Sequence, residues 1–267
     1  MDFRGRSVLI TGASEGIGRA LALALAARGA RLTLVAREGA RLASLAEAVR
    51  AKGGEALVHA ADVTAPGSAE AMVAAAVEAY GGLDAAVLNA GASMWTSFES
   101  LADPERAARD LMELNYFACL RQARAALPHL KASKGLLVPV ASVAGYAGIP
   151  MRTVYAASKH AVVGFFESLR VELRGSGVDI TIVAPDFVVT ELHARALGPD
   201  GRPLGSGRLD PRRVMTAEAC AELMVRAMAR RRRLLLTSAR SRLGRWLQLL
   251  APGLVDRIAA RAVARRA

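Results

Sequence analysis

Tyr155 and Lys159 stand four residues apart in the run TVYAASKHAVVGF, a spacing that puts both side chains on one face of a helix. An ammonium beside a phenol favours the phenolate, so such a pair can give a proton to a carbonyl oxygen or take one from an alcohol. The pair alone is a weak signal, because the same spacing recurs on solvated helices. A second signal lies far upstream. Thr11-Gly12-Ala13-Ser14-Glu15-Gly16-Ile17-Gly18 follows a short apolar run and precedes an Ala/Leu-rich stretch. Its glycines allow a tight turn and let a ligand approach the backbone. The next helix aims free N–H groups and its positive end at a phosphate. Strand, glycine turn and helix in that order point to a dinucleotide pyrophosphate site.

The elements that must hold these residues alternate along the chain. Short aliphatic runs occur at 7–10, 31–35, 56–60, 84–88, 135–140, 178–183 and 233–237. Helical patterns lie near 17–29, 38–52, 66–80, 104–131, 153–174 and 216–230. This predicts an α/β fold: a Rossmann-type, doubly wound, mostly parallel sheet of seven strands with helices on both faces. Pro139 conflicts with the fifth strand, since proline gives no ladder hydrogen bond. The strand is kept because it leads directly to Ser142. Residues 1–237 are expected to form a single dinucleotide-binding and catalytic domain. Its lid is the loop 186–215, which contains the Gly/Pro-rich stretch 198–211.

At 267 residues and 53% hydrophobic, the chain can bury such a sheet and is not intrinsically disordered. Two cysteines, Cys119 and Cys220, exclude a disulfide scaffold and leave no metal site. The net charge of +12 suggests nucleic acid or an anionic membrane. Its location narrows that. Residues 230–267 hold eleven arginines and one acid, Asp256, so the body is nearly neutral. In this tail, Leu243, Leu247, Leu250, Leu254 and Ile258 recur at helical spacing with arginines between, and Pro252-Gly253 divides it into two helices. Residues 238–267 thus form a basic amphipathic extension. It packs on the body, lines the substrate entrance, meets another subunit or makes a peripheral membrane contact. Nucleic acid is not expected, because Trp246 is the only aromatic residue available there for base stacking. No secretory signal is visible and no run reaches the roughly 18–20 apolar residues of a spanning helix, so a cytoplasmic setting is expected.

The spacing T-G-x-x-x-G-x-G resembles the short-chain dehydrogenase/reductase family, in its shorter-chain branch. Other matches occur in order: Asn89-Ala90-Gly91 after the fourth strand, Asn115 in the next helix, Ser142, and Tyr155-x-x-x-Lys159. The resemblance spans about residues 5–237 and implies hydride transfer between a nicotinamide and a carbonyl or alcohol, with Tyr155 moving the proton. It further implies that Lys159 holds the nicotinamide ribose and that Ser142 bonds the substrate oxygen. Asn115 would hold a water linking Lys159 to solvent. Gly12, Ser14, Glu15, Gly16, Ile17 and Gly18 would cradle the pyrophosphate, and Asp62 and Val63 the adenine. Asn89, Ala90, Gly91, Pro185, Val188 and Thr190 would complete the cofactor site. Homodimers or homotetramers on the long helices are implied too.

The second strand ends at Val35-Ala36-Arg37. With no acid at 36 or 37 to bond a ribose 2′-hydroxyl, and an arginine suited to a 2′-phosphate, NADP(H) is preferred over NAD(H). Glu15 argues the other way. The chain departs from the family's P-G-x-V-x-T at Asp186, where relatives carry glycine. That residue would narrow the site, alter the backbone or touch substrate. Trp95, Tyr146, Met151, Asp186 and His193 are candidates for the substrate side, with His193 more simply a surface residue. The segments around them are mostly apolar and hold no arginine cluster, so a lipophilic ketone, aldehyde or secondary alcohol is expected. The competing function is a non-catalytic dinucleotide-sensing or interaction protein on the same fold.

Overall fold

The protein is described from a computed structural model covering residues 1–205 and 214–264. Strands β1 (Ser7–Thr11), β2 (Arg31–Ala36), β3 (Glu55–Ala60), β4 (Ala85–Leu88), β5 (Leu136–Pro139) and β6 (Asp179–Ile180) form a six-stranded parallel sheet. Its order is β3-β2-β1-β4-β5-β6. The order reverses between β1 and β4, where a doubly wound sheet opens a crevice at the carboxyl ends of its strands. Strands β7 (Ile182–Ala184) and β8 (Leu234–Leu236) form a separate two-stranded parallel ladder.

The expected seven-stranded sheet is therefore not formed. The run 178–183 breaks at Thr181, and Pro139 supplies the reason. Asp179 and Thr181 donate to Gly135 and Leu137 carbonyls at 3.2 and 2.9 Å, and Ala141 donates back to Val183 at 2.7 Å. By parity, residue 139 should donate to the Thr181 carbonyl, and proline has no N–H. Beyond that gap an isolated bridge, Val140 to Val183, and a bond from the Val143 amide to the Pro185 carbonyl at 3.0 Å join the two segments.

Helices α1 (Gly16–Ala26), α2 (Gly39–Ala51) and α7 (Ala217–Ala229) cover one face. Helices α3 (Ser68–Tyr80), α5 (Ala118–Ser133) and α6 (Thr153–Glu172) cover the other. The two-residue strand period sorts β1 between them: Val8 and Ile10 pack with Leu21, Leu45 and Met224, while Leu9 packs with Met72, Leu130 and Phe166. Each such fully buried side chain contributes roughly 1.5–3 kcal/mol, which is why the strands read as unbroken apolar runs.

The single helix expected over 104–131 is also corrected. Asp103 caps α4 (Pro104–Met112), accepting from the Arg106 amide at 2.9 Å. A π-helical turn over 113–117 then separates α4 from α5. Its wider loop carries Asn115, wholly buried, into the body.

The tail forms two helices, α8 (Ala239–Leu250) and α9 (Pro252–Ala264), divided at Pro252-Gly253 as the sequence implies. No residue of α8 is buried, and Leu243, Trp246, Leu249 and Leu250 are exposed. Leu247, by contrast, is half-buried. Among the described residues no helix is long and apolar enough to cross a membrane. Within the expected lid, Leu197 bridges to Met94, donating to the Ser93 carbonyl and accepting from Trp95, each at 2.9 Å. Residues 206–213 of that lid, and 265–267 of the tail, lie outside the described residues.

Candidate active site

The crevice holds a cleft of about 330 Å³ at the carboxyl ends of the strands. Gly12, Ser14, Glu15, Gly16 and Ile17 line it. Gly12 and Gly16 take φ of +63° and +53°, which side chains disfavour. Gly18 sits behind the turn, where a Cβ would lie 2.1 Å from the Gly12 carbonyl oxygen. Asn89 locks the turn from the next strand, its Nδ2 donating to the carbonyls of Thr11 and Gly12 at 3.0 and 3.1 Å. Glu15 precedes α1 without a side-chain cap, so the first amides of α1 are left for an anion. A close-approach cradle and an uncapped helix start fit a dinucleotide pyrophosphate.

Glu15 is not turned to solvent. Its carboxylate pairs with Arg41 at 2.8 Å and with Arg195 at 2.9 Å. Arg41 also holds Glu38, and Arg195 holds Glu191. Arg37, Asp62 and Val63 line the same end of the cleft. Asp62 accepts from the Thr64 amide and hydroxyl, at 2.9 and 2.7 Å, and these bonds hold its carboxyl below the usual range. It does not cap α3, a place taken by Gly67.

Ala90, Gly91, Asn89, Ser142, Tyr155, Lys159, Pro185, Val188 and Thr190 all face the cleft. Tyr155 and Lys159 lie on the buried face of α6. Lys159 Nζ donates to the Val140 carbonyl at 3.0 Å and sits 5.9 Å from the Tyr155 ring centre. Ser142 leaves β5 in an extended conformation and caps the 3₁₀ turn 143–145, accepting from the Ala144 amide at 3.2 Å. Asn115 does not line the cleft. Its side chain accepts from the Ala92 amide and donates to the Ala92 carbonyl and to Ser158 Oγ. Ser158 in turn donates to the Tyr155 carbonyl at 2.8 Å. The π turn thus braces the N-A-G segment against the first turn of α6. Cys119 and Cys220 are free and buried, and burial pushes their thiols up to about 11 and about 12.

On the substrate side, Asp186 and His193 line the cleft with Ile149, Phe187 and Leu192. Trp95, Tyr146 and Met151 do not. Trp95 stands behind Phe187, 6.3 Å between ring centres. Tyr146 lies beneath Arg245 of α8, 4.8 Å away. Met151, at φ +66°, shapes its loop through a carbonyl that accepts from the Thr96 amide. His193 is buried rather than on the surface. Its Nε2 donates to the Val188 carbonyl at 3.0 Å, which leaves Nδ1 to accept from Arg152. Burial, and then the nearby Arg152 charge, push His193 down to about 4, so it is neutral.

Arg152 and Arg195 are the residues sequence reasoning missed. Arg152 is buried three residues before Tyr155 and stacks on Trp95 and Phe187, at 4.4 and 5.0 Å. Its only sequence signal was its place one turn before Tyr155. Arg195 had none, since its partner Glu15 is far away in the chain. Asp186 neither narrows the cleft alone nor stands free: its carboxylate bonds Ser238 and Arg240 at the start of α8.

A doubly wound sheet, a glycine cradle at its crevice and a Ser–Tyr–Lys set beside it define a dinucleotide-dependent oxidoreductase. The short chain dehydrogenase family model matches residues 6–198, and the chain belongs to that family. It is 35% identical over 260 residues to a "Dehydrogenase/reductase SDR family protein 7-like" of Dictyostelium discoideum, covering 96% of this chain and 81% of that one. It is 36% identical over 236 residues to 11-beta-hydroxysteroid dehydrogenase 1A of Arabidopsis thaliana, covering 86% and 67%. A short chain dehydrogenase/reductase from Burkholderia phymatum in complex with NAD superposes with a TM-score of 0.78 at 28% identity, over 94% and 96% of the two chains. An alcohol dehydrogenase of Thermococcus sibiricus complexed with 5-hydroxy-NADP gives 0.74 at 28%, over 86% and 95%. The protein is an oxidoreductase of the short-chain dehydrogenase/reductase class that uses a nicotinamide dinucleotide.

Proposed function

We propose that the chain is an NADP(H)-dependent oxidoreductase acting between a lipophilic ketone or aldehyde and the corresponding alcohol. The observation that carries the cofactor choice is the charge at the adenosine end of the cleft. Arg37 follows β2 there and no acid stands at 36 or 37, while Glu15 and Glu38, which also line this end, are held in ion pairs with Arg41 and Arg195. A 2′-phosphate would meet arginines rather than a bare carboxylate. The apolar Ile149, Phe187 and Leu192 support a lipophilic substrate, as do the hydroxysteroid dehydrogenases among its relatives.

The bound dinucleotide would supply the hydride chemistry. The protein moves the proton. In the reducing direction Tyr155 Oη gives its proton to the substrate oxygen, and in the oxidising direction it takes one back. Lys159, next to the phenol and anchored on Val140, places a positive charge where the phenolate forms. Ser142 Oγ donates to the same substrate oxygen as charge develops on it. Asn115 acts at one remove, through Ser158 and Ala92.

The assembly would be a homodimer or homotetramer built on the long helices, where Val171 of α6 and Phe117, just before α5, are exposed. The cell compartment would be the cytoplasm. The exposed Leu243, Trp246, Leu249, Leu250, Leu254 and Ile258, set among arginines with one acid, support peripheral contact with an anionic membrane. The test of the cofactor reading is the ratio of kcat/KM with NADPH to that with NADH. We expect at least about tenfold in favour of NADPH, with Arg37→Glu abolishing the preference, because one charge-assisted contact is worth about 1.5–3 kcal/mol. A preference for NADH would overturn it.

A further inference from the structure

Asp186 stands where the family carries glycine, and the structure gives its side chain a definite task. The carboxylate is 11% exposed. Oδ1 accepts from the Phe187 amide at 2.9 Å and from Arg240 Nη2 at 2.8 Å. Oδ2 accepts from Ser238 Oγ at 2.7 Å and from Arg240 Nε at 3.2 Å. The Asp186 amide donates to Thr237 Oγ1 at 3.0 Å. Burial alone would raise this carboxyl, but the bonds from Arg240, Ser238 and Phe187 outweigh it and hold it below the usual range. Ser238 also caps α8 by accepting from the Ser241 amide, so one hydroxyl joins the helix start to the loop.

This fork reaches the cleft through the next residue. Phe187 lines the cleft and packs against Trp95, His193 and Arg152, all within 6.3 Å of its ring centre. Arg240 itself lies 5.8 Å from the same ring. One turn further along α8, Arg245 covers Tyr146, which closes the 3₁₀ turn begun by Ser142. The first turns of α8 therefore grip both loops that flank the reacting groups.

The geometry points to Asp186 as a positioning residue that makes the C-terminal extension a working part of the substrate site. Tied to Ser238 and Arg240, it fixes Phe187, and through Phe187 the Trp95–Arg152–His193 wall. Glycine at 186 would have no side chain with which to make this tie. The inference rests on reading this end of the cleft as the substrate side, and its first test needs no turnover, so the two can fail separately.

The protein has two tryptophans, Trp95 and Trp246. In a Trp246→Phe background, Trp95 is the sole tryptophan and reports on the wall by acrylamide quenching. Asp186→Asn and Arg240→Met should each raise the Trp95 quenching constant about twofold, and the double variant should exceed neither by much, because both cut one connection. Arg242→Met, with no ion pair among the described residues, should leave it unchanged. With a keto-steroid as probe, the two tie-cutting variants should raise the substrate KM about tenfold while the KM for NADPH stays within about twofold. If Asp186→Asn does not fold, Arg240→Met decides, since its side chain is 72% exposed. Unchanged Trp95 quenching in folded Arg240→Met, or additive effects of the two substitutions, would overturn the inference.

Discussion

The residues proposed to move the proton are visible in local spacing, whereas the ion pairs and ring contacts around the cleft join residues distant in the chain. Tyr155 and Lys159 lie on a single helix face, and Gly12, Gly16 and Gly18 on a single turn, so local spacing reveals them. Arg152 and His193 meet across 41 residues of chain, and Glu15 and Arg195 across a longer stretch still, so no local pattern marks them. His193 carries a pH prediction. Its ordinary value of 6.5 applies to the unfolded chain, while the folded protein holds it near 4. As pH falls through that window the unfolded chain takes up a proton that the folded one refuses, so stability is lost. His193→Gln, which can still donate to Val188 and accept from Arg152, should therefore lose less melting temperature between about pH 7 and pH 5 than the wild type. Equal losses would show that the imidazole does not titrate in this way.

At the scale of elements, periodicity told strand from helix well but could not report which neighbour each strand would find. Five of the six helical patterns up to residue 230 form single helices, and the sixth, over 104–131, is divided. What could not be read was continuity: one missing N–H at Pro139 splits a strand in the neighbouring chain segment, and an extra residue in the π turn splits a helix. Both breaks border the cleft, and the second turns Asn115 inward, where it holds Ala92 and Ser158. The turn between β1 and α1 is the least forgiving element. A methyl at residue 18 would collide with the Gly12 carbonyl, and that atom cannot move without releasing Asn89. Gly18→Ala should weaken NADPH binding at least about a hundredfold, measured by fluorescence titration, in a protein that still melts cooperatively. Binding within a few-fold of wild type would mean that the cradle is not where the pyrophosphate rests.

For the whole molecule, the charge of +12 divides a nearly neutral catalytic body from an arginine-rich tail. The tail has two sides. One grips the loops at 146 and 186, and the other presents leucines and Trp246 to the surroundings. Replacing Leu243, Trp246 and Leu250 together by serine should abolish flotation with anionic vesicles and leave the Asp186 tie in place. Flotation equal to wild type, or equal binding to zwitterionic vesicles, would place the apolar face against another subunit instead. In the body, the proposed reaction is exchange of a hydride with NADP(H) in this cleft while Tyr155 moves the proton. Its most direct measurement is NADPH oxidation with a keto-steroid by wild type and Tyr155→Phe, with NADH in parallel. The account predicts turnover that favours NADPH and falls at least about 10²-fold in Tyr155→Phe, whose NADPH binding is unchanged. Turnover that survives the loss of the phenol hydroxyl would contradict it.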